Sequence, residues 1–462
     1  MFAFLSVLIA WVRARIVAIV RAQTLATLSK SIKVGNLEIV EGTERYAFGP
    51  SSGPGAKPPV VLTILNDHFW LRLITATDIG VAEAYMVGEI FLNDLDGFMM
   101  LFLDNRPYME SSMTWVQKIV EVLDGLVRTF VGTTPAQSRL NAVAGYDCSN
   151  TLFQAFLSKE MMYSCPWWGD AEGGISGDLD PAFGVKPGDL EAAQMRKIHN
   201  VIAKARIEKG HRVLEFGSGW GGFCIEAARL TGCSVDTVTL SKEQKKLADE
   251  RIVAAGLQDR VRVHLMDYRS FPKTFPELKN TFDAFVSIEM LEHVGPTHYE
   301  DFFACVQWAL KPDVATAVVT STTKPETRFT IIQPHDFARK YFWPNGSLPS
   351  ATALVQATNK ASKGTLVLHE VMNHGPHYAR ALREWARRFD ANITTEVIEQ
   401  IEADTPEVKV TDPKLWQTFR RKWMWLFAYA NAGYVKGYVT CHMLTFTREE
   451  NPTSSCFERI VD

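Results

Sequence analysis

No C-x-x-C pair occurs among the seven cysteines, at 148, 165, 224, 233, 305, 441 and 456. An odd, scattered set suits free thiols in a reducing, cytoplasmic setting and offers no zinc-ligand spacing. A large excess of charge is missing too. The formal net charge is −3 over 462 residues, which argues against a nucleic-acid partner held through its phosphates. The apolar N-terminal run Phe2–Val12 is stopped by Arg13 and Arg15, well short of the roughly 20 residues that span a bilayer. Residues 1–28 therefore read as an amphipathic helix. Its two possible roles are packing on its own domain or anchoring at a membrane interface. What the chain has in quantity is apolar residues, 47% against 22% charged. That is enough for a full core and, at this length, for two or three domains.

The chain is organised around Val213–Gly222, VLEFGSGWGG. Val213–Phe216 reads as a buried strand, followed by a turn with Gly217, Gly219 and Gly222 at G-x-G-x-x-G spacing and a helix over Phe223–Leu230. Such glycines let the chain turn tightly and let a ligand reach main-chain N–H groups. Nicotinamide, flavin and S-adenosylmethionine sites share the pattern. A dinucleotide site needs an acid at the end of the next strand, about 20 residues on. That strand, Ser234–Leu240, instead runs into Thr239, Leu240, Ser241 and Gln244. Asp236 lies earlier and points into the strand. Glu215, two residues before the first glycine, suits the cationic amino-acid end of S-adenosylmethionine better than a pyrophosphate. A third strand, Val261–Leu265, ends in Asp267-Tyr268-Arg269, placed to cap an adenine. A fourth, Phe282–Ile288, runs into Glu289-Met290-Leu291-Glu292-His293-Val294-Gly295, and a fifth is Ala315–Ser321. Strands alternating with helices predict a doubly wound α/β domain with its ligands at strand carboxyl ends.

Before this domain, Leu37–Val40 and Arg45–Phe48 read as a hairpin and Val60–Leu65 as a strand. Asp67–Thr75, Val81–Gly88, Leu95–Leu103 and Thr114–Val131 read as helices. After the fifth strand come helices, a strand over Leu366–Met372 and many aromatics, among them Phe337, Tyr341, Phe342 and Trp385. Rings of this kind are more often core than ligand site. Thr418–Gly433 reads as a helix, and Val439–Thr447 as the last strand. Phe419–Phe427 mixes cationic and aromatic residues, as interfaces do.

Seven stretches carry a resemblance: YSCPWW (Tyr163–Trp168), LEFGSGWGG, TLSKEQ (Thr239–Gln244), DYR (Asp267–Arg269), EMLEHVG (Glu289–Gly295), YFWPNGSLPS (Tyr341–Ser350) and HGPHYARALREW (His374–Trp385). From about Ser29 to Arg448 the chain resembles the cyclopropane-fatty-acyl-phospholipid synthases and their mycolic-acid and fatty-acyl methyltransferase relatives. The resemblance implies a Rossmann-like class I methyltransferase domain over 137–450, with a helical acyl-chain lid around 324–416. It also implies a small α/β domain over 29–105, a helical linker over 106–136 and a loose tail from 451. It assigns S-adenosylmethionine to Tyr163, Ser164, Glu215, Gly217, Gly219, Trp220, Gly221, Thr239, Leu240, Ser241, Gln244, Asp267 and Tyr268. The implied partners are an unsaturated phospholipid acyl chain and a membrane surface touched peripherally, with a homodimer allowed.

An unactivated alkene needs no covalent nucleophile when it meets a sulfonium methyl. It needs placement, exclusion of water, and a base for the proton that the resulting cation must lose. The resemblance implies a bound bicarbonate as that base. The family's holders for it fall on Cys165, Glu292 and Tyr378, with Thr320 at a histidine position and Thr322 at an isoleucine position. A threonine hydroxyl binds an anion but does not carry a proton away as imidazole does. Ring closure is then in question, with a methylene or methyl branch as the other product. A methyltransferase for a small amine or sterol-like acceptor, and a lipid-binding protein with a decayed site, are the remaining function classes.

Overall fold

The structure is a computed structural model that describes residues 2–50, 58–110, 149–333, 336–406, 409–449 and 451. The expected helix over Thr114–Val131, most of the 106–136 linker and the tail lie outside the described residues. The chain forms two compact units. One comprises 1–147, 335–342 and 398–432, the other 148–334, 343–397 and 433–462.

The first unit opens with α1, Phe2–Ser31. Among the described residues, no helix is long and apolar enough to cross a membrane. The expected hairpin forms as β1 (Leu37–Glu41) and β2 (Glu44–Phe48), antiparallel about Gly42. β3 (Val60–Ile64) joins β1 in parallel and β4 (Ile90–Leu92) joins β3, giving the order β2-β1-β3-β4. The two short helices expected over Asp67–Gly88 are one, α2, His68–Val87, closed by a left-handed Gly88. α3, Leu95–Glu110, carries Asn105. Its side chain accepts from the N–H groups of Lys33 and Val34 and donates to the carbonyls of Val34 and Leu101, which ties the end of α1 to α3.

Two stretches of the expected lid group with this unit rather than with the catalytic domain. Glu83 of α2 explains the first, because it takes the Tyr341 hydroxyl at 2.9 Å and the Lys340 ammonium. Asn431 donating to Asp96 at 2.9 Å explains the second. The helix Pro413–Val435 contributes Phe419, Trp423, Trp425 and Phe427, each no more than 4% exposed. That burial makes the cationic–aromatic stretch Phe419–Phe427 core, not a membrane face. Even Lys422 is 1% exposed, its ammonium over the rings of Phe342 and Phe419.

The second unit is built on a seven-stranded sheet in the order β10-β11-β9-β8-β5-β6-β7. The five parallel strands are β5 (Arg212–Phe216), β6 (Ser234–Thr239), β7 (Val261–Leu265), β8 (Ala284–Ile288) and β9 (Thr316–Thr323). β10 (Val367–Asn373) and β11 (Thr440–Thr447) extend it antiparallel at one edge. Two-residue alternation divides the side chains between two cores. β5 sends Val213 to one face and Leu214 and Phe216 to the other, while β8 sends Ala284 and Val286 one way and Phe285 the other. Asp236 is buried in β6, paired with Arg212 at 2.9 Å and hydrogen-bonded to His264 at 2.9 Å. The chain runs outward through β5, β6 and β7, then returns to β8 and β9 on the other side of β5. The strand order therefore reverses between β5 and β8, and the carboxyl ends there are where such sheets bind ligands.

Candidate active site

On the β5 side, the turn is set by backbone conformation. Gly217, Gly219 and Gly221 have φ of 92°, 48° and 84°, a region that L side chains rarely enter. The N–H groups of Gly217 and Ser218 bond to the Val238 carbonyl, which pins the turn to β6. Beneath it, Glu215 is 1% exposed and its Oε2 is buried with no hydrogen-bond partner. Burial pushes its carboxyl up to about 8, with Thr237 and Lys197 pulling the other way. An unpartnered buried carboxylate oxygen is costly, and it fits the ammonium of a bound S-adenosylmethionine. At the end of β6, Thr239 donates to Gln244 at 2.8 Å and Ser241 caps the next helix. Trp220 donates to Asn150 at 2.6 Å and packs on Phe153, which also meets Tyr163. Leu240 is 71% exposed. Asp267 is held by Arg269, whose guanidinium keeps its carboxyl below the usual range against some burial. Tyr268 is not brought to this surface. Its ring lies in the core at 5.3 Å from Phe216 and 5.4 Å from Phe302.

On the β8 side, side chains far apart in sequence converge. The Y-S-C segment is fastened to the helix Asp189–Lys204, whose buried stripe Leu190, Ala193, Ile198, Val201 and Ile202 also holds two polar residues. Gln194 donates to the Ser164 carbonyl at 2.8 Å, and Lys197 donates to the Ser164 hydroxyl at 2.8 Å. The next residues dock on the H-Y segment. The Trp168 N–H donates to His377 Nδ1 at 3.0 Å, and its indole donates to the His377 carbonyl at 2.9 Å.

The centre of this cluster is Glu289, three residues before the expected Glu292. Glu289 Oε1 accepts from the Cys165 backbone N–H at 2.6 Å and from the Cys441 thiol at 3.7 Å. Its Oε2 accepts from the Tyr378 hydroxyl at 2.8 Å. Its backbone is left-handed, with φ of 50°. Tyr378 in turn stacks on Tyr434 at 4.4 Å, and the Tyr434 hydroxyl bonds to Thr322 at 2.8 Å. Glu292, one 3-10 turn on, accepts the Thr322 N–H at 2.5 Å through Oε1, while its Oε2 has no partner. Thr320 gives its carbonyl to the Glu289 N–H at 2.9 Å, and its hydroxyl is buried without a partner. The four expected catalytic residues therefore gather, but around a fifth.

Burial raises the carboxyl groups of both glutamates, Glu292 to about 8 with the Glu289 charge adding to the rise. Glu289 accepts three hydrogen bonds where Glu292 accepts one, from Thr322, which favours the charged form on Glu289 over Glu292. Burial lowers Lys197 to about 8, opposed first by the Glu289 charge. Tyr378, Tyr434, Cys165 and Cys441 are pushed up and stay protonated. Among the described residues no group could hold a metal ion. The sequence signal for Lys197 was a cation on an apolar helix stripe. For Glu289 it was an acid at a strand carboxyl end, three residues before another.

A family model described as mycolic acid cyclopropane synthetase matches residues 134–441. A tuberculostearic acid methyltransferase of Mycobacterium tuberculosis is 31% identical over 413 residues, covering 88% of this chain and 88% of that protein. The cyclopropane-fatty-acyl-phospholipid synthase of Escherichia coli is 32% identical over 331 residues, 72% of this chain and 77% of its own. Among solved structures, a cyclopropane synthase of Mycobacterium tuberculosis superposes with a TM-score of 0.52 at 22% identity, over 67% of this chain and 98% of that one. A mycolic acid cyclopropane synthase solved with S-adenosylhomocysteine gives 0.50, also at 22% identity, over 67% and 98%. With these likenesses beside the glycine turn and the strand-end acids, the chain belongs to the mycolic acid cyclopropane synthetase family, S-adenosylmethionine-dependent fatty-acyl methyltransferases on a mixed α/β class I fold.

Proposed function

We propose that this protein methylates the cis double bond of an unsaturated fatty-acyl chain, carried in a phospholipid, and closes the product to a cyclopropane ring. The observation that carries the reading is the Glu289–Glu292 pair at the carboxyl end of β8, next to the glycine turn. It supplies a base where a methylated alkene must shed a proton. S-adenosylmethionine, when bound, supplies an electrophilic methyl group. The chain's own residues do the rest. Glu215 faces the ammonium end, the glycine turn admits the cofactor to main-chain N–H groups, and Ser164 is oriented by Lys197. Lys197 fills a lone pair of the Ser164 oxygen, so the hydroxyl proton is left to donate to a carboxylate.

A second product is favoured by a specific residue. Thr320 stands at the histidine position, and the mycobacterial relative is named a tuberculostearic acid methyltransferase. A methyl-branched alkene would follow if the proton left from the chain, and a methylene branch if a hydride shift first moved the cation to the methyl-bearing carbon and the added methyl then lost its proton. Mass spectrometry of phospholipids from a host expressing the protein tests both readings. Acyl chains one CH2 heavier are expected; ozonolysis cleaves a methylene product and leaves a ring intact. An unchanged acyl profile in a host rich in unsaturated phospholipid would contradict the proposal.

The same reading places the enzyme at a membrane surface. Val7, Leu8 and Trp11 of α1 are 67%, 45% and 57% exposed, and Arg15 lies over the Trp11 ring. Such a face supports modest, salt-sensitive binding to anionic lipid. Deleting residues 2–20 should reduce co-sedimentation with anionic vesicles and leave S-adenosylhomocysteine binding intact. Resistance to alkaline carbonate extraction would instead mean a spanning segment.

A further inference from the structure

We infer that Glu289 is itself the base of the reaction, its carboxylate seated where the family resemblance implies a bound bicarbonate, so that turnover needs no bicarbonate. The inference rests on the proposed alkene methylation.

The residues present do not fit the anion. Two of its implied holders, the Cys165 segment and Tyr378, already donate to Glu289, one to each carboxylate oxygen. A third holder, Glu292, adds a carboxyl group of its own, and the histidine position holds Thr320. A further anion would have to share the donors of Glu289 and sit against a carboxylate, and like charges at such range repel strongly. The backbone supports the same reading. A glutamate at φ of 50° costs about 1 kcal/mol or more relative to glycine, and strain of this kind collects at functional sites. That cost is offset by three donors aimed at one carboxylate. The donors are themselves deep: Cys165 is 1% exposed, Cys441 0% and Tyr378 9%. Glu289 as a whole residue is half-buried, while burial of its carboxyl group raises its proton affinity.

The step balances. After methyl transfer the acyl chain carries a carbocation and the sulfur is neutral. Glu289 Oε2, which has one donor where Oε1 has two, takes a proton from the added methyl group. The C–H electron pair forms the closing C–C bond of the ring, and Glu289 becomes a neutral acid. Loss of a chain proton to the same oxygen would instead form the double bond of a branch.

The test compares rate and binding. Wild-type turnover on vesicles of unsaturated phospholipid should be equal in CO2-free buffer and with added bicarbonate. Glu289→Gln should lower it at least about a hundredfold, with S-adenosylhomocysteine affinity unchanged by titration calorimetry. Glu289→Gly vacates the seat. Added bicarbonate should restore part of its rate, and isotope-labelled bicarbonate should bind this variant and not the wild type by carbon NMR. The binding arm needs no substrate, so it judges the seat separately from the acyl reaction. A wild type that slows in CO2-free buffer, or that binds bicarbonate as Glu289→Gly does, overturns the inference. If Glu289→Gly does not fold, Glu289→Gln decides, and near-normal turnover overturns the inference.

Discussion

The two sides of the strand reversal solve different problems with different materials. At the β5 turn the backbone acts: glycines hold left-handed conformations, and one buried carboxyl group, Glu215, ends the strand that leads into them. At the β8 end side chains act: Cys165, Lys197, Glu289, Glu292, Thr322, Tyr378, Tyr434 and Cys441 come from segments up to 276 residues apart in number. On the proposed reading, the first side binds the cofactor and the second holds the reacting charge.

Substitutions that separate the two sides sharpen the comparison. Glu289→Gln should act on turnover by at least about a hundredfold and hardly on affinity. Glu215→Gln should do the reverse, weakening S-adenosylhomocysteine about tenfold or more, the value of a hydrogen bond to a charged group. Lys197→Met removes the cation that faces the acids of both sides. It should lower the melting temperature by about 5–10 °C, because it strands buried carboxylates. Glu292→Gln should cost only about tenfold in turnover or less, since glutamine copies the protonated acid. A fall as large as that of Glu289→Gln would move the charge, and the role of base, to Glu292.

The smallest effect is with pH, and it acts on stability. Glu215 and Glu292 are held up to about 8 in the fold against an ordinary 4.5. Between those values the unfolded chain binds fewer protons than the native one, so stability falls as pH rises. Lys197, lowered to about 8, changes stability only above that window. The melting temperature of the cofactor-free protein should therefore drop from pH 5 to about pH 8, and Glu215→Gln should flatten the slope. A melting temperature that rises with pH would mean that these carboxyl groups are not held protonated by burial.

The sheet was legible because its strands are short apolar runs that end in turn residues. Val261–Leu265 has the expected bounds, and the other strands shift by one or two residues. α2 was read as two helices because Thr75-Ala76-Thr77-Asp78 and Gly80 look like a break, and packing of the flanking apolar stripe overrides that preference. The grouping of 335–342 and 398–432 with the first unit was not legible. Its bonds, such as Tyr341 to Glu83 across 258 residues, leave no local pattern. The turn residues of the site were readable from glycine spacing, and the Y-S-C and H-Y residues only through resemblance. Tyr268 was misplaced because its neighbour Asp267 bonds to Arg269 at the surface while the tyrosine ring folds back into the core. Glu289 was overlooked because its partners, Cys165 and Tyr378, lie 124 and 89 residues away.

The division between a binding side and a reacting side is tested most directly by a paired measurement on Glu289→Gln and Glu215→Gln, of turnover at saturating S-adenosylmethionine and of S-adenosylhomocysteine affinity. A crossed result is expected: turnover lost and affinity kept for Glu289→Gln, affinity lost and saturated turnover largely kept for Glu215→Gln. Parallel losses in both quantities for both variants, or near-normal turnover of Glu289→Gln, would contradict it.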